Sequence, residues 1–333
     1  MKFSMMRVAV ACLALAGLSL TVSNAGAQEK FPTKPIKVLV PYAPGGATDI
    51  VARVIGEHMR QSLGQGIVVE NKPGSFGIAA IQDMAKSKPD GYTLMIGNVS
   101  TNTITPILHK QKFSIDYEKS VVPVTRLVDI PAFIVLTTKN FAPKTLPEFI
   151  AYAKAHKGKV YYGHVGAGSY PQYDAEVFAK RAGIEITAIP NKAGASGIIR
   201  DMLTGDVQMA FLNVASSASL VRSGQLRAVA LVNPKRLPEY PDVPTMEELG
   251  YKGVGTLAWQ GMFAPAGTPK NVLETIYKST LEALKSPEVV STFAKQHFNI
   301  VPNASIDEAK TWAADDRAAW TKITQEVKVD LGE

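Results

Sequence analysis

An α/β chain of two domains is what this sequence predicts, and three observations carry that expectation. From residue 36 onward, short apolar runs alternate with amphipathic stretches in a βαβ order, the pattern of mainly parallel sheets flanked by helices. The loop 41–49, Pro-Tyr-Ala-Pro-Gly-Gly-Ala-Thr-Asp, is a glycine-rich turn between a strand and a helix, and 163–169 repeats its logic in the second half. About 306 residues remain once a leader is removed, more than one core usually serves.

Ile36–Val40 reads as a buried strand. Val51, Val54, Ile55 and Met59 then share one helical face, which Gly64 ends. A strand at 67–70, a glycine-containing turn at 71–77, a helix at 78–86 and a strand at 92–96 follow. The second series begins near Phe133, with strands expected at 133–136, 160–163, 184–189, 207–212 and 228–232 and a helix at 146–155. A strand at 257–264 comes next, and Pro269 opens a helix with an inner stripe of Val272, Leu273, Ile276, Leu281 and Leu284. The amphipathic tail 305–327 is expected to pack back on the first domain.

The first residues have the form of a secretory signal. Lys2 and Arg7 precede an apolar run at 8–22, and Ala25-Gly26-Ala27 is a small-residue cleavage site. The apolar run is shorter than the roughly 20 residues of a membrane span. A cut after Ala27 removes Cys12, the one cysteine, so disulfide and thiol chemistry fall away. The expected address is the periplasm. The remaining chain carries a net charge of about +5, spread out and without the basic tract or interleaved aromatics of a nucleic-acid binder. Such a balance favours anionic ligands mildly.

Catalytic motifs are missing. Gly194-Ala195-Ser196-Gly197 is one residue short of a nucleophile elbow, and no phosphate loop or dinucleotide fingerprint occurs. His58, His109, His156, His164 and His297 are scattered without metal-ligand spacing. Hence neither metal, cofactor nor enzymatic activity is expected. Of the histidines, only His164 stands beside a glycine loop and is kept as a possible cleft residue.

Ligands of parallel sheets bind beyond the carboxyl ends of the strands, and a glycine turn feeding a helix start aims free amides at an anion. The candidate binding residues follow from that. They are Tyr42, Ala43, Gly45, Gly46 and Asp49 in the first loop, Ser75 and Phe76 in the next, and Asn98, Ser100 and Thr101 after the third strand. In the second half they are Gly166, Ala167, Gly168, Ser169, Tyr170 and Gln172, with Lys192 and Asn213 at later strand ends. Trp259 is read as core. The two glycine loops imply two α/β domains facing each other across a cleft.

The chain resembles a known family, the periplasmic substrate-binding proteins of tripartite tricarboxylate transporters (the Bug or TctC family). The resemblance rests on Phe31-Pro32-Thr33-Lys34-Pro35-Ile36, on 41–46 with Asp49 and Ala52-Arg53 after it, and on Leu63-Gly64-Gln65. It continues through Val68-Val69-Glu70-Asn71-Lys72-Pro73-Gly74, Pro89-Asp90-Gly91-Tyr92-Thr93-Leu94, Gly224-Gln225-Leu226-Arg227-Ala228, Pro241-Asp242-Val243-Pro244-Thr245 and 263–269. It implies a hinged, Venus-flytrap binding protein, monomeric, that holds a small organic carboxylate between its domains and delivers it to a membrane permease. Domain 1 would comprise 28–130 plus 252–333, and domain 2 would be 131–251, inserted between two crossings. The alternatives are an exported hydrolase and a sensor that presents its closed form to a receptor. Two departures from the family pattern stand out: Gln172 where many members carry histidine, and Leu212 where amino-acid binders tend to have aspartate. The second argues for a plain carboxylate ligand, since an ammonium needs an anionic or multi-acceptor partner.

Overall fold

Two mixed sheets flanked by helices organise residues 31–191 and 193–331, the part of the chain that the computed structural model describes. The expected leader and Lys192 lie outside the described residues. The first sheet holds β1 (Ile36–Val40), β2 (Ile67–Asn71), β3 (Thr93–Asn98), β4 (Val121–Ile130), β10 (Ala258–Pro265) and β11 (Asn299–Ile300), in the order β11-β4-β10-β3-β1-β2. The second holds β5 (Ala132–Thr137), β6 (Tyr161–His164), β7 (Thr187–Pro190), β8 (Met209–Asn213) and β9 (Leu226–Val232), in the order β7-β6-β8-β5-β9.

The α/β expectation holds, but the sheets are less parallel than the βαβ pattern suggested. β2-β1-β3 and β7-β6-β8 run parallel, while β10, β4 and β11, and likewise β5 and β9, pair antiparallel. The cause is the route of the chain. It leaves the first sheet at the end of β4, turns on Pro131, and enters the second sheet at once as β5. It re-enters the first sheet at Ala258. Strands that carry the chain between sheets need no crossover helix, so nothing forces them parallel.

β4 was not foreseen. Pro123, Arg126 and Asp129 break its apolar period, yet it lies inside the sheet, between β10 and the two-residue edge strand β11, and Arg126 pairs with Asp129. Trp259 is core, as expected, and meets Trp312 edge-on at 4.8 Å between ring centroids.

The helices are α1 (Ala47–Leu63), α2 (Ile78–Lys86), α3 (Leu146–Ala155), α4 (Tyr170–Ala182), α5 (Ala195–Thr204), α6 (Val214–Arg222), α7 (Lys270–Lys285), α8 (Pro287–Lys295) and α9 (Ile306–Glu326), besides single turns. One apolar cluster joins residues of both sheets, among them Leu39, Met95, Ile134, Tyr162, Phe178 and Trp259. Another lies under the second sheet, around Phe133, Ile198, Met202 and Leu212.

α9 opens on Ser305, whose hydroxyl accepts from the Glu308 amide at 3.1 Å. It does more than pack back on the first sheet. Asp316 accepts from the Thr103 hydroxyl at 2.6 Å beside that sheet. Farther along, Trp320 stacks edge-on against Tyr173 of α4, Glu326 pairs with Lys180 at 3.4 Å, and the Asp330 carbonyl accepts from Gln172 at 3.3 Å. A second tie joins α4 to the return segment: both oxygens of Asp174 accept from Thr256, the hydroxyl at 2.6 Å and the amide at 3.0 Å.

Burial pushes the Asp174 carboxyl up to about 7, against the pull of the two Thr256 bonds. Between about pH 4 and 7 the folded chain therefore keeps a proton that the unfolded chain has released. The stability from this group is fully present below about pH 4 and is lost as pH rises through 7. Melting curves at pH 4.5 and 7.5 test this: Asp174→Asn should gain on the parent as pH rises, and a constant difference in Tm would remove the assignment.

Candidate functional site

The loop 41–49 is held from within by Asp49. Its carboxylate accepts from the Gly45 amide at 2.9 Å, from Asn71 Nδ2 at 2.9 Å, and from Arg53 Nε at 3.1 and 3.0 Å. Asn71 in turn donates to the Tyr42 carbonyl at 3.0 Å and accepts from Arg53 Nη2 at 2.9 Å. Burial works to raise the Asp49 pKa, but these donors more than offset it and hold the carboxyl below its ordinary value. Both oxygens of Asp49 thus bond to groups of the chain itself: the loop, α1 and the end of β2. Asn71 was not singled out as a site residue; its role depends on a partner 22 positions away.

Gly45 sits at φ +88°, a conformation glycine adopts without a Cβ penalty. Gly46 is the N-cap of α1, extended and with no side-chain cap. The amides of the first helical turn lack intrahelical partners by geometry, at the positive end of a 17-residue helix. Thr48 ties this helix start to the sheet through a 2.7 Å bond to Gln260 of β10.

The next loop is strained. Gly74, Ser75, Phe76 and Gly77 all have positive φ, at 102°, 48°, 55° and 81°. Such values are costly for Ser and Phe and persist where the surroundings enforce them. Here the Thr105 hydroxyl holds the Phe76 carbonyl at 3.1 Å, and the half-exposed ring stacks on His109 at 4.6 Å. A Cβ on Gly77 would lie 2.7 Å from Thr101 Cγ2, so the loop closes tightly over the turn 98–104.

That turn presents Asn98 and Ser100. Asn98 Oδ1 accepts from the Tyr42 hydroxyl at 2.9 Å and from the Thr101 amide at 3.3 Å. Burial pushes the Tyr42 phenol up to about 12, partly offset by its bonds to Asn98 and Thr101, so it stays protonated and donating. Thr101 turns inward, its hydroxyl on Asn102 Oδ1 at 2.8 Å.

On the second sheet, Gly166 and Gly168 at φ +135° and +73° shape the turn before α4. The Ser169 hydroxyl donates to the Gly166 carbonyl at 2.6 Å and does not cap the helix. Gln172 Oε1 takes the Gly168 amide at 2.7 Å. His164 is buried, and its Nδ1 bonds the Gly166 carbonyl at 3.0 Å; a carbonyl only accepts, so that nitrogen carries the proton. Burial lowers its pKa and keeps the ring neutral. It supports the loop.

Tyr170 brings the halves together. Its amide donates to the Ser100 hydroxyl at 3.3 Å, across the two sheets, and its phenol donates to Asn213 Oδ1 at 2.9 Å. Tyr42, Asn98, Ser100, Tyr170 and Asn213 thus form one group, flanked by the two glycine loops with Ala43 and Ala167. Leu212, the departure noted in the sequence, is a core residue. It lies opposite Phe133 in the β5–β8 ladder and shares that residue's apolar cluster, so the strand's alternation turns it into the core. Gln172 joins the loop to the C-terminal tail.

Among the described residues, no group of three His, Cys, Asp or Glu side chains is arranged to hold a metal, and no helix is long and apolar enough to cross a membrane. Replacing Asp49 by Asn should destabilise the protein at pH 7 by roughly 1–3 kcal/mol, the usual cost of upsetting a buried hydrogen-bonded group. Because the Asp49 pKa is lowered, its contribution is present above about pH 4 and is lost in acid. The gap between variant and parent in urea unfolding should therefore narrow as pH falls below about 4, and a gap that stays constant into acid would sink this role.

The model of the family described as "Tripartite tricarboxylate transporter family receptor" (TctC) matches residues 51–329. The protein BugT of Bordetella pertussis is 32% identical over 319 residues, 96% of each chain. Among solved structures, the periplasmic binding protein BugD is similar at a TM-score of 0.78 and 29% identity, covering 89% of this chain and 98% of its own. An R. palustris protein solved with adipate reaches a TM-score of 0.81 at 26% identity, covering 90% of this chain and 99% of its own. On fold, site geometry and sequence together, the chain belongs to the tripartite tricarboxylate transporter receptor (TctC) family.

Proposed function

We propose that this protein is an extracytoplasmic receptor that captures a small organic carboxylate between two hinged lobes and hands it to a membrane permease. The observation that carries the reading is the meeting of the start of α4, which follows the second glycine loop, with the turn after β3 of the first sheet, through the Tyr170 amide on Ser100. Free amides at a helix start suit an anion, and adipate in a family neighbour is a ligand of that charge. We read the lobes as 28–130 plus 252–333 and 131–251, closing on the ligand because the closed state alone lets both loops touch it. In this reading residues 1–27 are a cleaved export signal, the protein works as a monomer in the periplasm, and binding requires neither cofactor nor catalysis.

Screening by thermal shift against mono-, di- and tricarboxylates, aromatic acids and amino acids tests the reading. A ligand at 100-fold excess over its Kd should add about 2.7 kcal/mol of stability. If no acid shifts Tm, the carboxylate reading fails. Gly45→Val should lose the shift, since a β-branched residue at φ +88° disturbs the loop at a cost of roughly 1–2 kcal/mol. Its circular dichroism should be unchanged, because a Cβ there meets no atom within 4 Å. Undiminished affinity would take the loop out of the site.

A further inference from the structure

All three tryptophans of the chain line one groove, of about 600 Å3, a volume typical of small-molecule sites. One wall is a stripe of α9 on which Trp312, Asp315, Asp316 and Trp320 recur at helical spacing. The other is the return segment 255–257, with Trp259 of β10 and Arg126 of β4. No residue of either glycine loop lines it.

The walls carry more negative charge than they balance. Arg126 Cζ lies 5.6 Å from the Trp312 ring centroid, and its guanidinium is already paired with Asp129. Asp316 accepts from the Thr103 hydroxyl, but neither it nor the exposed Asp315 has an ion pair among the described residues. Burial raises the Asp316 carboxyl, and burial followed by the charge of Asp316 raises Asp129 against the pull of Arg126. Two buried donors are unanswered as well. Trp259 is 3% exposed and its Nε1 has no hydrogen-bond partner among the described residues, nor has Arg126 Nε. The Trp259 N–H faces Asp316 closely enough to oppose the rise of that carboxyl, which directs it at the groove. A buried donor left unmade is costly, so these two call for an acceptor.

We propose that the groove is a second binding site, for a small organic ammonium ion that also carries an oxygen. Indole faces and uncompensated carboxylates suit the cation, and the Trp259 and Arg126 N–H groups suit the oxygen. Asp315 and Asp316 repel an anion, so the preference is opposite to that of the glycine loops. The site goes beyond the carboxylate-receptor reading and does not depend on it.

Because every tryptophan lies on the groove, intrinsic fluorescence reads this site, and titration calorimetry checks it by a second signal. Choline, tetramethylammonium and dimethylbutanol (the uncharged isostere of choline, with carbon in place of nitrogen) separate the charge from the oxygen. Choline should bind saturably, about 10-fold or more tighter than dimethylbutanol and about 5-fold tighter than tetramethylammonium. Asp315→Asn, at an exposed position, and Asp316→Asn should each weaken choline about 5-fold and leave dimethylbutanol unchanged. Trp259→Phe keeps a ring but removes the N–H, and should cost choline more than tetramethylammonium. Tm and circular dichroism check that each variant folds. Neither heat nor fluorescence change with the two ammonium ions would overturn the site and leave a hydrated groove. Equal affinity for choline and dimethylbutanol, or Asn variants that bind choline as the parent does, would overturn it too. A carboxylate that still shifts Tm in those cases leaves the receptor reading standing.

Discussion

Burying an ionised carboxylate costs several kcal/mol unless donors converge on it, and the first half of the site is organised around one that meets this condition. Asp49 draws in the Gly45 amide, the Arg53 guanidinium and the Asn71 amide, from a loop, a helix and a strand end. With Asn71 bound to the Tyr42 carbonyl as well, both flanks of the loop are tied to β2. Gly46 and the helix start behind it are thereby held with their amides outward, and Tyr42 is set where it meets Asn98. The second glycine loop is secured differently, with His164 and Ser169 both on the Gly166 carbonyl and Gln172 on the Gly168 amide. Two loops of like purpose are thus fixed by unlike chemistry, one ionic and one neutral.

Much of this was legible in the sequence because turn chemistry is local. Glycines at 45, 166 and 168 announce positive φ, and all three adopt it. Strand ends at Asn98 and Asn213 follow from apolar runs that stop there. What could not be read depends on pairing. β4 hides because Pro123, Arg126 and Asp129 interrupt its period, and the charged pair is tolerated only because the folded sheet brings the two together. The inward facing of Leu212 could not be read either, because one residue of register decides to which side a strand side chain points, and its place opposite Phe133 is a long-range fact.

The tyrosine–asparagine pairs belong to the same category. Each residue is unremarkable in sequence, and the pairing spans 56 positions in one case and 43 in the other. For Asn98 the Thr101 amide, which can only donate, sets the side-chain oxygen toward Tyr42.

The tail beyond α9 has a consequence for how the protein can be handled. Gln172 grips the Gly168 amide with one end and the Asp330 carbonyl with the other, and Leu331 lies in van der Waals range of the space above Gly168. Asp330 and Leu331 are therefore a buttress beneath one of the two loops. A linkage attached at Asp330 or Leu331 would pull on that buttress directly.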